Sequence, residues 1–416
     1  MLGFLAAAAL LAVRPAAGEH APAPTGAPAI GATVKELLDY AEAHNPELAV
    51  ARFEVQAAEA RVQPAGAFDD PMLEVELKDM DRSLNRIGSV KYMFTQPLPF
   101  FGKRDLRTEV AQAGVKAAEG QERATAADIR ERIKVLFAQS FQVQEAARLN
   151  HEILGILQDL ERITEVRYAS GLAPQQDFIK SQVEQTAIRN ELITLETEAV
   201  HIRSRLNSLL SRPAGAALAD PQALRPAPAA ASLDIAALES RLRAASPLLF
   251  TQEAQVAASE ASRQLVERNR YPDFSVGFGP IQADDRLAAW EAKVTMNIPL
   301  QQESRRSRER EALANLDAAR ARRDAIASRL LNDLHEAFAS WEAARRKEGL
   351  IERALLPQAT VNYQSALAGY EAGKVDFATL LEAERQVKAA RLEHLRARVE
   401  QEARIAQIER MIGGEL

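Results

Sequence analysis

The residue types that carry out catalysis are few in this chain and poorly spaced for it. His335 and Glu336 begin the HExxH pattern of a helical zinc site, but Ala339 stands where the second histidine would ligate. The six histidines are scattered and the six methionines do not cluster at ligand spacing. With no cysteine, thiolate metal sites, cysteine nucleophiles, disulfides and a lipid-modified N-terminal cysteine are all excluded. No activated nucleophile and no phosphate-cradling glycine loop is present, so the sequence reads as a protein that is not an enzyme and carries no cofactor. The charges that do repeat regularly lie in short alternating runs. Glu74, Glu76 and Lys78 alternate with Leu73, Val75 and Leu77, and Glu291 and Lys293 with Trp290, Ala292 and Val294. Such a period of two puts charge on one face of a strand and apolar side chains on the other. A half-buried soluble sheet would show the same pattern.

Those strands sit in a chain built mostly for helices. Of its 416 residues 47% are hydrophobic but only 5% aromatic, with alanine making up the difference, a composition of long packed helices rather than thick cores. The net charge of -6 argues against a nucleic-acid partner. An apolar run from Leu2 to Val13, followed by Ala16 and Gly18, reads as a signal peptide over residues 1–18, a disordered tail being the competing reading. No later stretch approaches the roughly 20 apolar residues of a membrane-spanning helix, so any spanning falls to strands.

The chain also repeats itself. Pro46 is matched by Pro247, Pro71 by Pro272, Thr95 and Pro99 by Thr295 and Pro299, and Tyr168 and Gly171 by Tyr370 and Gly373. The order and near-constant offset of these anchors imply a tandem duplication of a unit far longer than a solenoid repeat. After a flexible segment over 19–33, the first repeat spans 34–211: an opening helix over 34–62, strands over 71–78 and 89–98, a long helix over 103–168 and a return helix. A Pro/Ala/Gly-rich linker covers 212–233. The second repeat, 234–416, follows with a helix over 234–269, strands over 272–279 and 288–298, a long helix over 303–370 and its return. Pro357 predicts a kink in the third of these segments. Leu149, Ile153, Ile156, Leu160 and Ile163 step by four and three, predicting a coiled-coil seam.

Aromatic placement bears on the strands. Phe100, Phe101 and Tyr271 fall at the end adjoining the helices and Trp290 near the other, like the interfacial girdles of an outer-membrane barrel. Open sheet edges cannot face lipid, so four strands require several chains to pool them, and a trimer gives twelve. Pro97 and Pro99 are expected to end the strand at the membrane boundary. Lys103, Arg104 and Arg107, with Arg305, Arg306, Arg308 and Arg310, sit at helix N-termini, where cations oppose the dipole. Outer-membrane lipid head groups are the expected partner, and a solvated charged face beside Glu109 and Glu309 is the alternative.

Duplicated halves, paired strands, the YxxG turns and the run QPLPFFGKR together resemble the TolC family of outer-membrane efflux proteins, over essentially the whole chain after the signal. PLPFFGKR and DDPML lean towards its heavy-metal branch, the CusC-like and CzcC-like channels. The resemblance implies a mainly α fold with a small β part: a long-helix α-barrel, with four strands contributed to a trimeric twelve-stranded β-barrel. It implies an outer-membrane efflux channel with a long periplasmic extension, and as partners a periplasmic adaptor and an inner-membrane pump of the RND type. Carried over by position, Tyr168, Gly171, Leu172, Tyr370 and Gly373 fall at two periplasmic tips where an adaptor docks and the tunnel closes. Asp376 or Glu382, and Asp177 in the first half, are candidates for an acidic ring there. Glu74, Glu76, Lys78, Glu291 and Lys293 would line the lumen, where charge tunes passage without tight binding. Export of drugs or of secreted proteins is the alternative cargo, and a periplasmic adaptor or coiled-coil scaffold the alternative class.

Overall fold

The computed structural model describes residues 30–80, 87–226, 228, 233–284 and 286–416. The expected signal over 1–18, most of the 19–33 segment and part of the 212–233 linker lie outside the described residues. Each half opens with two helices where one was expected: α1 (Val34–His44) and α2 (Pro46–Gly66), and later α5 (Ile235–Ala245) and α6 (Pro247–Arg268). The break is set by Pro46 and Pro247, which take the first helical position, where no N–H is needed, and force the preceding residue out of helical backbone. Asn45 completes the first break, its Oδ1 accepting from the Glu47 and Leu48 N–H groups at 2.7 and 3.2 Å.

After β1 (Met72–Met80) and β2 (Ile87–Leu98), α3 runs unbroken from Lys103 to Ala169, and α4 (Gln175–Leu209) returns. The 67 residues of α3 make a rod of about 100 Å. The second half supplies β3 (Phe274–Ala283), β4 (Arg286–Met296) and α7 (Gln302–Leu350). A π-helical turn over Ile351–Leu355 leads into α8 (Leu356–Glu371), and α9 (Phe377–Ile412) returns. Pro357 explains that turn: it cannot donate to the Arg353 carbonyl and its ring crowds it, so the helix widens by one residue just before it.

The expected seam is off by one position. Leu149, Ile153, Leu157 and Leu160 are buried, with Leu157 fully so, while Ile156 and Ile163 are only partly covered. Leu157 is covered because α3 packs on both α4 and α9, and it shares a cluster with Ile188 of the one and Leu380 of the other. The tip core joins these residues to Ile188, Tyr370, Phe377 and Leu380. Two further cores lie at mid-height, one around Ile133, Phe137 and Leu206, the other around Leu334, Trp341 and Ile408.

The four strands form one antiparallel sheet in the order β1-β2-β3-β4, with the two hairpins joined through β2 and β3. All four run further from the helices than expected, to Met80, Ile87, Ala283 and Arg286. Pro97 does not end β2. It sits opposite Ser275, and β2 continues to Leu98. It is tolerated because β1 has already stopped at Met72, opposite Thr95, so this stretch of β2 needs a partner on one side only.

Candidate functional site

The sheet has two unlike faces. Leu73, Val75, Leu77, Phe94, Val276, Phe278, Trp290 and Val294 all stand exposed on one of them. Glu74, Glu76, Lys78, Glu291 and Lys293 share the opposite face with Lys91, whose place among them only the cross-strand register reveals. The charged face is the concave one. Lys293 of β4 comes within 3.8 Å of Glu74 of β1, although two strands separate them. The curl is allowed by Gly277 and Gly279 in β3: a Cβ on Gly279 would lie 1.7 Å from the Tyr92 carbonyl oxygen. Both outer strands, β1 and β4, have one unpaired edge.

At the base of the sheet Phe100 stacks on Tyr271 at 4.6 Å between centroids, and Phe101 is 86% exposed. Trp290 stacks on Phe278 at 5.0 Å, further along the apolar face. The lipid role expected for Lys103 is overturned here. Lys103 is only 2% exposed, and its Nζ donates to Asp273 Oδ1 at 2.8 Å and to the Tyr271 carbonyl at 3.1 Å. The same carboxylate oxygen accepts from the Phe100 N–H at 2.8 Å, so the charge that opposes the helix dipole is neutralised by the other half of the molecule. Arg104 is likewise committed, to the Gly66 carbonyl at 2.8 Å and the Phe68 ring at 3.6 Å, and Arg305 to the Asn269 carbonyl.

At the far end of the helices the two turns share one geometry. Gly171 and Gly373 take left-handed backbone, with φ of 69° and 72°, and the last carbonyls of each helix are closed by Leu172 N–H to Arg167 and Lys374 N–H to Gly369. Beyond the glycines they diverge. Asp376 caps α9, accepting from the Thr379 N–H at 2.8 Å, and this holds its carboxyl below the usual carboxylate range. Asp177 instead lies inside α4, because the first turn's extra residues carry the helix start back to Gln175. It is buried, and burial above all, with Asp376 nearby, pushes its carboxyl up against the opposing pull of Lys180 and Arg167. Asp177 is therefore not an open carboxylate here, whereas Glu382 is exposed on α9, where it accepts from Gln386 at 3.4 Å. Tyr168 and Leu172 are exposed, and Tyr370 is buried against Phe377.

One residue not anticipated from the sequence ties the tips together. Arg167, at the end of α3, donates to the Tyr370 and Glu371 carbonyls at 3.1 and 3.2 Å and lies 4.9 Å from the Tyr370 ring centre. Two turns above, Glu384 is buried near Glu184, itself paired with Arg385. Burial first, and Glu184 second, push the Glu384 carboxyl up to about 7, against Lys388 and Arg385.

Among the described residues no three His, Asp or Glu side chains stand close enough to hold a metal, and no helix is long and apolar enough to cross a membrane. The sequence profile of the outer membrane efflux proteins matches residues 37–212 and again 238–414. The cobalt-zinc-cadmium resistance protein CzcC of Cupriavidus metallidurans is 27% identical over 376 residues, which cover 87% of this chain and 85% of CzcC. The outer-membrane channel OprN superposes with a TM-score of 0.80 at 20% identity, covering 92% of this chain and 90% of OprN. CusC, whose structures describe transmembrane channel formation, gives 0.77 at 19% identity and 93% of each chain. The chain belongs to the outer membrane efflux protein family: it is an outer-membrane efflux channel, a passive conduit and not an enzyme.

Proposed function

We propose that three copies of this chain close head to tail into one conduit that carries divalent metal cations from a periplasmic adaptor and an inner-membrane pump, of the RND type, to the exterior. The observation that carries the assembly is the pair of open flanks, which continue from sheet to tip. In the helical part α2 packs on α3, α3 on α6 and α6 on α7, while α4, α3, α9 and α8 follow one another lower down. One flank is thus β1, α2 and α4, and the other β4, α7 and α8. Each leaves apolar side chains exposed: Phe53, Val183, Ile193 and Val200 on the first, Leu313, Leu350 and Val361 on the second. Unpaired strand edges cannot stand in hydrocarbon, and three sheets of four strands supply a closed barrel of twelve. The exposed apolar face then meets lipid, with Phe100, Phe101 and Tyr271 at its helix-side margin, and the charged face becomes the lumen; Trp290, expected near the opposite margin, stands in the middle of β4 because the strand runs on to Arg286.

Tyr168, Gly171, Leu172, Tyr370, Gly373 and the acidic pair Asp376 and Glu382 form the periplasmic tip in this reading, where the adaptor docks and the tunnel closes. Asp177, buried behind Tyr370, supports the closed tip from inside. The metal cargo rests on the likeness to CzcC. Cell fractionation followed by sizing of the detergent-extracted protein tests the assembly: an outer-membrane trimer is expected, and a soluble monomer or dimer overturns it. For the cargo, cells lacking the protein become more sensitive to cobalt, zinc or cadmium and regain resistance on complementation; unchanged metal sensitivity with raised drug sensitivity overturns it.

A further inference from the structure

We propose that Lys91 sets the charge preference of the barrel lumen by compensating the carboxylates of Glu291 and Glu76, so that its loss turns the barrel towards cations. This inference rests on the concave face being a lumen. Lys91 lies on β2, directly opposite Glu76 of β1. Its Nζ is 2.7 Å from Glu291 Oε1 and 3.8 Å from Glu76 Oε2, and the side chain is only 12% exposed. Glu291 is on β4, so the lysine reaches across the whole width of β3 to find it. It does so because β3 offers Gly279 beside Glu291, leaving no side chain in the way.

Two further pairs lie beside it on this face: Lys293 with Glu74 at 3.8 Å, and Lys78 with Glu76 at 3.5 Å. Among the described residues, three glutamates meet three lysines on this face in each protomer. Fixed charges in a narrow pore act on passing ions only to the extent that they are uncompensated, and over about a Debye length, about 10 Å at 0.1 M salt. Among the described residues, Lys91 is the one base of this cluster with carboxylates of two other strands within 4 Å. Its removal leaves two lysines to three glutamates in this cluster, a change of one negative charge per protomer.

The test is the reversal potential of the purified protein in planar bilayers under a KCl gradient, alone and with Arg167→Ala to loosen the tip. The wild-type cation-to-anion permeability ratio is the reference, because the acidic tip lies in series with the barrel and is common to all variants. Lys91→Gln raises that ratio by about twofold or more, Glu291→Gln lowers it, and the charge-neutral pair Lys91→Gln/Glu291→Gln returns it to the wild-type value. The shifts fade as salt is raised, which a merely deformed pore would not reproduce. Should Lys91→Gln fail to fold, Glu291→Gln still carries the test through its opposite sign. Conducting variants whose ratios do not move, or move in the same direction, overturn the role of Lys91. Absence of conductance in every background overturns instead the channel reading beneath it.

Discussion

The two halves share the dipeptide Asp–Phe just past each tip, and use it in opposite ways. In the second half Asp376 stands outside α9 as its cap and Phe377 is fully buried beneath Tyr370. In the first half the helix begins three residues earlier relative to the pair, at Gln175, so Asp177 is turned into the core while Phe178 is only half-buried. A short insertion has moved a helix start, and the helical rotation that follows has exchanged which member of the pair faces the core. The long helices differ too. Counted back from the tip tyrosines, Gly155 in α3 is the equivalent of Pro357, and only the second half needs a π-helical turn.

Breaking this asymmetry should cost most at the buried phenylalanine. Phe377→Ala is expected to destabilise the folded chain by about 3–5 kcal/mol, and Phe178→Ala by clearly less, measured by denaturant unfolding. Equal losses would mean that the two tips are packed alike. Next in size is the helix interior: Gly155→Pro should cost about 3 kcal/mol, because α3 has no widened turn to receive a proline. Pro357→Ala should instead leave stability unchanged or higher and let the π-helical turn revert to regular α-helix.

A smaller, pH-dependent effect separates Glu384 from Gln185, its equivalent counted from the Asp–Phe pair. A carboxyl whose pKa is raised in the fold penalises the folded state above that pKa and is relieved as pH falls towards its ordinary value. With Glu384 at about 7, melting temperature should rise as pH is lowered from about 8 towards 5. Glu384→Gln should flatten most of that rise and stabilise the protein at the alkaline end; a pH profile identical to wild type would remove Glu384 as its source. Asp177, also raised by burial, adds in the same direction. Asp376 works the opposite way: its lowered carboxyl stabilises above the ordinary range and loses that contribution as the medium becomes acidic. Asp376→Ala should produce the smallest loss of the series, seen as earlier fraying of the start of α9 by hydrogen exchange.

Much of this architecture was legible in residue order. Period-two alternation marked strands such as Leu73–Lys78 and Trp290–Val294, because a half-exposed sheet demands it, and the matched prolines, tyrosines and glycines pointed to the duplication, because turns tolerate few residue types. The same prolines were the sign of the broken opening helices, a sign read as a repeat anchor rather than as a helix start. What stayed illegible depended on neighbours distant in sequence. Lys103 looked like a cation awaiting lipid until Asp273, 170 residues away, was found against it. Lys91 was one polar residue in an alternating run until the register laid it between β1 and β4.

By itself, then, the sequence determined the strands, the long helices, their order and the family, since these follow from local backbone preference and hydrophobic period. The tertiary structure alone decided which charges are paired and which carboxylates are exposed. Those depend on which chain segments meet, and a charge's role is set by what lies within a few ångströms of it in space.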